Sequence, residues 1–431
     1  MEIKEFKNMT FVDGGVCAAK GFMANGVHCG ISRKALAEKP EDPTMQANLP
    51  AEGKKKHDLA MIYAEKPCTA AAMYTTNKVQ GAPIAVTKEN LKNGMAQAVI
   101  VNSVNANTCN ADGLEKAEKM CEAAAEALGL SKSDIIVAST GVIGQPLPIE
   151  PILAGVPGLA KGLSHEGNTA AVEAIMTTDT CPKEVAVQFT VGGKTCTLGG
   201  MLKGSGMIHP NMATTLTFLT TDCAIEAGLL QQALREVVNI TLNRVSVDGD
   251  TSTNDMVCVM ANGMAENAMI KSENEDYECF KDALYAVLMN LARKMARDGE
   301  GATKLIECFC TGASDDRTAE IIAKSVITSS LFKAAIFGED ANWGRILCAV
   351  GYAPADFDIH RVDVSFASAK GKLDVCKNGA GLDFSEDFAK EVLSEEEIQV
   401  LISIGSGTGS AIAWGCDLTY DYVRINGDYR S

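Results

Sequence analysis

No stretch of this sequence approaches the run of about eighteen apolar residues that a membrane-spanning helix needs. Basic residues are in short supply: 39 Lys and Arg stand against 55 Asp and Glu, a net charge of -16. A field of that sign repels nucleic acid and anionic membrane surfaces, so neither is an expected partner. An apolar signal segment is missing too, because Met1 to Gly14 mixes charges with single apolar residues. The expectation is a cytoplasmic protein. Cys-x-x-Cys pairs are absent, although 15 cysteines run from Cys17 to Cys416. Such scatter in a long chain excludes the disulfide framework of small secreted domains and points to reduced, mostly buried thiols. Cys308 and Cys310 come closest, at a spacing that shares one face of a strand. The five histidines (His28, His57, His165, His209, His360) form no ligand-spaced cluster, and no metal is expected.

What is present is ordinary globular material: 431 residues, 46% hydrophobic and 22% charged. That length predicts two or three domains, or one large two-lobed unit. The Pro-punctuated polar stretch from Lys34 to Asp58 reads as an exposed loop. Leu114 to Leu128 is rich in helix formers with Gly129 as its stop, and Glu278 to Arg297 carries apolar residues at helical spacing. Between helices lie short apolar or β-branched runs: Gln97–Val101, Ile135–Val137, Val185–Val191, Val362–Ser365 and Val400–Ile404. The interleaving predicts a layered α/β protein.

Three glycine-rich corners invite ligand readings. Gly405-Ser-Gly-Thr-Gly409 follows a strand but has Ser410 at the third fingerprint position, so a tight structural turn is the better reading. Lys203-Gly-Ser-Gly206 lacks the spacing of a phosphate loop. Asp248-Gly-Asp-Thr-Ser252 has Gly and Val259 in the wrong places for a calcium loop and reads as an Asx-type turn.

The segment Lys203-Gly-Ser-Gly-Met-Ile-His-Pro-Asn-Met-Ala-Thr-Thr-Leu-Thr217 supports two readings. In one it is a glycine-rich turn entering a strand at Thr215 to Thr220. In the other, Thr214 attacks the Ala213 carbonyl, the acyl group shifts from N to O, and water cleaves the ester. Thr214 then becomes a new N-terminus. An α-amine with a pKa of about 7.7–8.0 is roughly a tenth to a sixth neutral at pH 7, against a few parts in ten thousand for an ordinary Lys. The α-amine is therefore the better base for its own hydroxyl. Developing oxyanion charge would need donors, and Ser139-Thr-Gly-Val-Ile-Gly144, after the strand at Ile135–Val137, offers backbone amides and the Thr140 hydroxyl. It reads equally as a plain strand-to-loop turn.

Taken in order, a series of motifs resembles the ornithine acetyltransferase family. They are Gly26-Val-His-Cys-Gly30, Thr75-Thr-Asn-Lys78, Val101-Asn-Ser103, Ser139-Thr-Gly-Val-Ile-Gly144, Met176-Thr-Thr-Asp-Thr180 and Lys203 to Thr214. Val247-Asp-Gly-Asp-Thr-Ser-Thr-Asn-Asp255, Asp340-Ala-Asn-Trp-Gly-Arg-Ile-Leu347 and Ala413-Trp-Gly-Cys-Asp-Leu-Thr-Tyr-Asp-Tyr-Val423 continue the series, nearly end to end. The resemblance implies a layered αββα sandwich of the ornithine acetyltransferase and L-aminopeptidase D-esterase type, with a smaller second lobe. It implies self-cleavage between Ala213 and Thr214 into an α chain, 1–213, and a β chain, 214–431. These remain associated as a heterotetramer of two of each. Thr214 is then the acetyl-accepting nucleophile and Thr140 with Gly141 the oxyanion pair. Thr177, Lys203, Thr214, Glu300, Asn426 and Ser431 form the substrate-binding set. The implied reaction moves acetyl from N2-acetylornithine to glutamate in arginine biosynthesis, with no bound cofactor. The bifunctional form, which also uses acetyl-CoA as co-substrate, is the family default. Departures are Thr215 for the family's usual Met, Val104 for Gly, Gly427 for Ala and Ser431 for a terminal Thr. The alternatives are a self-processing amidohydrolase or aminopeptidase of the same fold, a nucleotide binder using the 405–409 turn, and an uncleaved homologue.

Overall fold

The computed structural model describes residues 3–31, 56–209 and 215–427. The first ten strands, in chain order, are β1 (Thr10–Val12), β2 (Phe22–Val27), β3 (Leu59–Tyr74), β4 (Met95–Asn102), β5 (Ile135–Ser139), β6 (Lys183–Val191), β7 (Lys194–Lys203), β8 (Leu216–Thr221), β9 (Val245–Ser246) and β10 (Met256–Ala261). Six more follow: β11 (Leu305–Ala313), β12 (Asp363–Ser368), β13 (Gly371–Lys377), β14 (Ala380–Gly381), β15 (Glu397–Ser403) and β16 (Gly409–Cys416). Most of the loop expected between Lys34 and Asp58 lies outside the described residues.

One sheet runs β1-β6-β7-β8-β10-β3-β4-β5, with β2 also on β3. The long β3 is its spine. Its first residues pair with β2 and β4, and Thr69–Tyr74 pair with β10. Between Tyr63 and Cys68 the register on β4 slips. Pro67, which has no N–H to donate, stands within that slip, where a strand tolerates it. The two halves of the sheet lie face to face over one shared core.

Side-chain alternation makes the layering visible. Leu59 and Met61, with Ala98, Ile100, Ile135 and Val137, pack against helices Gly113–Leu128 and Ile149–Lys161. Their neighbours Ala60, Ile62, Val99, Val101 and Ile136 point the other way, onto Met201, Leu216, Phe218 and Met256 of the opposite half. That half turns Leu198, Leu219, Val257 and Val259 toward helices Ala227–Ile240 and Glu275–Arg297. Helix, sheet, sheet, helix is the αββα order. Strands buried on both faces have no polar face, which explains their continuous apolar runs.

The second, smaller sheet runs β14-β13-β12-β15-β11-β16-β9. One face carries its own core, including Cys308 and Cys310 side by side, under helices Asp316–Ile327, Ser330–Phe337, Trp343–Gly351 and Glu386–Leu393. The other face gives Leu305, Trp414 and Cys416 to the core beneath helix Glu275–Arg297. Glu307 Oε1 at that seam accepts from Trp414 Nε1 at 3.1 Å and from Arg293 Nε at 3.0 Å. No helix is long and apolar enough to cross a membrane among the described residues.

The expected elements appear with shifted ends. The helix after Gly113 closes on Gly129 at φ 69, whose N–H reaches the Ala125 and Glu126 carbonyls. Helix Glu275–Arg297 begins three residues before its expected start because the Asn274 side chain caps the Tyr277 amide. The 405–409 turn leads into β16, a strand, where a dinucleotide loop opens a helix. Gly407 lies flush on the Ala313 carbonyl and leaves a side chain no space. All 15 cysteines are free thiols and most are buried.

Candidate active site

β7 ends at Lys203, and the residues that follow are held one after another. The Gly204 amide donates to Asp179 Oδ1 at 2.7 Å, and Ser205 Oγ to the Asp298 carbonyl at 2.7 Å. Gly206 lies against the Glu300 carboxylate, where a Cβ would collide with it. The Met207 and Ile208 amides donate to the two oxygens of Asp248, at 2.6 and 2.8 Å. Asp248 also accepts from the Asp250 amide at 3.3 Å, so the expected Asx turn forms and serves as a clamp. His209 is fixed through its carbonyl, 2.8 Å from Thr251 Oγ1, and through Nδ1, 3.1 Å from Ser246 Oγ. Burial and the charge of Lys324 lower the His209 pKa.

Residues 210–214, with the expected cleavage site Ala213 and the expected nucleophile Thr214, lie outside the described residues, as does Ser431. Both flanks of the first gap are anchored. Thr215, 4% exposed, donates its hydroxyl to the Lys203 carbonyl at 2.7 Å, and its own carbonyl receives the Met256 amide at 2.9 Å.

Asp255 and Asn254, just before β10, tie this point to the Ser139–Gly144 turn. Asn254 Nδ2 donates to the Ser139 carbonyl at 2.9 Å and to Ala106 at 2.5 Å, while its Oδ1 accepts from Thr108 Oγ1 at 2.5 Å. In the turn, the Thr140 amide is spent on the Asn102 carbonyl at 3.0 Å and the Val142 amide on Val104 at 3.0 Å. The Thr140 hydroxyl and the Gly141 amide make no hydrogen bond among the described residues. Gly141 has φ 131, and a side chain there would sit inside the Val104 carbonyl. The Thr140, Val142 and Gly144 amides are thus engaged, so the turn offers the Thr140 hydroxyl and the Gly141 amide side by side, with fewer donors than a run of free amides.

Glu300, 6% exposed, accepts from Asn426 Nδ2 at 2.7 Å. Helix Tyr420–Gly427 reaches it because its N-terminal residues press on Gly301, whose carbonyl takes the Thr419 hydroxyl at 2.7 Å. Tyr422 of that helix is pushed up by burial and by the charges of Asp248 and Glu300. Thr177 sits in the loop after helix Asn168–Ile175, its amide on Asp179 Oδ2 at 3.0 Å and its carbonyl accepting from Lys56 at 3.2 Å. Hydrogen bonds therefore connect Thr177, the Lys203 exit, Glu300 and Asn426 into one cluster. Thr140 and Gly141 join at its far side through Asn254.

Two buried charges were not singled out by the sequence. Lys183, fully buried, pairs with Asp179 at 2.7 Å and with Asp298. Burial alone would raise the Asp179 carboxyl, but the Lys183 and Lys203 charges hold it well below the usual range. Asp255 is the opposite case. Burial lifts it well above the usual range despite a Ser252 hydrogen bond and the Lys203 charge, and its Oδ2 has no partner among the described residues.

Comparison with known proteins gives a consistent set. The ArgJ family model matches residues 44–431. The chain is similar to the arginine biosynthesis bifunctional protein ArgJ of Caldanaerobacter subterraneus subsp. tengcongensis, 48% identical over 424 residues, 98% of this chain and 100% of the relative. It is also similar to the protein of that name from Bacillus subtilis, 46% identical over 422 residues and 97% of each chain. Among solved structures, ArgJ from Bacillus halodurans is 46% identical, with a TM-score of 0.46 over 48% of this chain and 96% of that one. The ornithine acetyltransferase from Mycobacterium tuberculosis complexed with ornithine is 34% identical, with a TM-score of 0.40 over 48% of this chain and 100% of that one.

Proposed function

The chain belongs to the ArgJ family, and from that premise we propose that this acyltransferase moves acetyl from N2-acetylornithine to glutamate in arginine biosynthesis. The observation that carries the reading is the buried Glu300 carboxylate, held by Asn426 and flush on Gly206, three residues beyond Lys203. One fixed negative and one positive group suit a substrate that carries an ammonium and a carboxylate around a neutral amide.

The chain first cleaves itself. Thr214 Oγ attacks the Ala213 carbonyl, the peptide becomes an ester with the Thr214 amine released, and water hydrolyses it. The freed α-amine then takes the hydroxyl proton as Thr214 attacks the acetyl carbon of N2-acetylornithine. The Thr140 hydroxyl and the Gly141 amide receive the oxyanion. The proton passes to the departing ornithine nitrogen, leaving an acetyl ester on Thr214. Glutamate's amine attacks that ester and leaves as N-acetylglutamate. One amide is exchanged for another, so no external energy source enters, and water must be kept from the ester. The engaged hydroxyl of Thr215 supports Thr214 over its neighbour as nucleophile. The same reading has pieces 1–213 and 214–431 remain together in the cytosol, two of each, with acetyl-CoA as a second acetyl donor.

Denaturing intact-mass analysis tests the premise. Two species dividing between Ala213 and Thr214 are expected, and a single full-length species from Thr214→Ala, which should transfer no acetyl. Soluble, folded protein with that bond intact would remove the general base and the mechanism with it. Acetate released from N2-acetylornithine without glutamate, at the rate of transfer, would mark a hydrolase instead.

A further inference from the structure

We propose that Lys183 is a positioning residue for the substrate site, one buried ammonium that sets the places of the three segments bearing Thr177, Lys203 and Glu300. The inference rests on the acetyltransferase reading, which assigns those three residues to substrate. Lys183 opens β6 and touches no solvent. Its Nζ donates to Asp179 Oδ1 at 2.7 Å and to Asp298 Oδ2. Each carboxylate is then shared with backbone beside a substrate residue. Asp179 accepts the amide of Thr177 itself at 3.0 Å and that of Gly204, next to Lys203, at 2.7 Å. Asp298 accepts the Thr180 amide at 3.1 Å and also the Thr180 hydroxyl. The carbonyl of Asp298 takes Ser205 Oγ at 2.7 Å, and the Ser205 carbonyl takes the Glu300 amide at 3.0 Å. A helix-following loop, a strand end and the turn after a long helix come from three distant parts of the chain and meet at one nitrogen.

A stability role alone does not account for this arrangement, because a buried ion pair often stabilises no better than apolar residues of the same volume. What the ammonium adds is direction: three donors on a compact head, matched to two carboxylates whose other oxygens are already committed. Moving that head moves Thr177, Lys203 and Glu300 relative to one another, and small misplacements of binding groups are costly in catalysis.

The test compares Lys183→Arg, Lys183→Met and Asp298→Asn with the unsubstituted full-length enzyme, assayed with N2-acetylornithine and glutamate and normalised to folded protein. Lys183→Arg keeps the charge but replaces the compact head with a planar fork. Asp298→Asn keeps the shape and leaves Lys183 paired with Asp179, so it tests the idea even where Lys183→Met does not fold. The expected result is a fall of about a hundredfold in kcat/KM, carried mainly by a higher KM for N2-acetylornithine. Folded variants with an unmoved KM, and activity lost only in step with folded protein, would overturn the proposal while the parent enzyme is active. A parent enzyme without transfer activity would overturn this inference and the functional reading together.

Discussion

Val104 has φ 82, a backbone conformation that a β-branched residue rarely adopts. Glycine commonly stands there in the family the sequence resembles, and the geometry explains why. The Val104 carbonyl receives the Val142 amide and presses against Gly141, so the backbone cannot relax without moving the turn. Such a conformation costs about 1–3 kcal/mol, against roughly 0.5–1 kcal/mol of added chain entropy for glycine. Val104 also packs against the core around Leu59, so Val104→Gly is expected to leave stability within about 1 kcal/mol of the parent, read as a Tm that hardly moves where loss of a relaxed buried valine would lower it. Asp255 makes a second prediction. Its folded pKa is raised above the unfolded value of about 3.9, so the native state holds a proton that the unfolded chain releases. The stability this provides is complete below about pH 3.9 and lost as pH rises through the folded value. Asp255→Asn keeps the neutral shape at every pH. The gap in Tm between variant and parent should widen from pH 4 to pH 8, and a pH-independent gap would refute the assignment.

Among elements, legibility followed local chemistry. The helix ending at Leu128 was readable because Ala, Glu and Lys fill it and Gly129 stops it. The early start of helix Glu275–Arg297 was hidden in a polar run where Asn274 looks like any other loop residue. The longest described strand, β3, has no strand signature in the sequence: Lys66-Pro67 reads as a break, and Ala70 to Ala72 favour helix by composition. The site divides in the same way. The Lys203–Thr217 segment stands out in the sequence by its glycines and proline, and Asp248 is recognisable as a turn former. Glu300, Asn426 and Thr177 are legible only through the family resemblance, since single polar residues carry no spacing signal. Lys183 was invisible because a lysine opening an apolar strand looks like a surface end. Its partner Asp298 is 115 positions away, beyond any local pattern.

At the scale of the molecule, the proposed cut falls in the connection between β7 and β8, which pair antiparallel from Leu198↔Thr221 to Lys203↔Leu216. In the strand order β1-β6-β7-β8-β10-β3-β4-β5, the later piece supplies only β8 and β10, wedged between strands of the earlier one. The core between the two halves of that sheet and the core under helices Ala227–Ile240 and Glu275–Arg297 both mix residues from the two pieces. Neither piece can complete the first sheet alone, and the two should unfold together. Refolding after denaturation should then differ by history. Uncleaved Thr214→Ala should regain its structure at a rate independent of concentration, whereas the cleaved protein should do so more slowly on dilution. Equal, concentration-independent rates would contradict the interlaced arrangement.

The consequence reaches past the reaction. Before the cut, β8 finds β7 by closing a short loop; afterwards the same pairing needs a collision between two molecules. Two proteins with one set of native contacts would differ only in whether they can find their way back to it. Self-processing would thus make folding a one-time event: a mature molecule once opened is replaced by new synthesis, and its lifetime is set by how slowly it first comes apart.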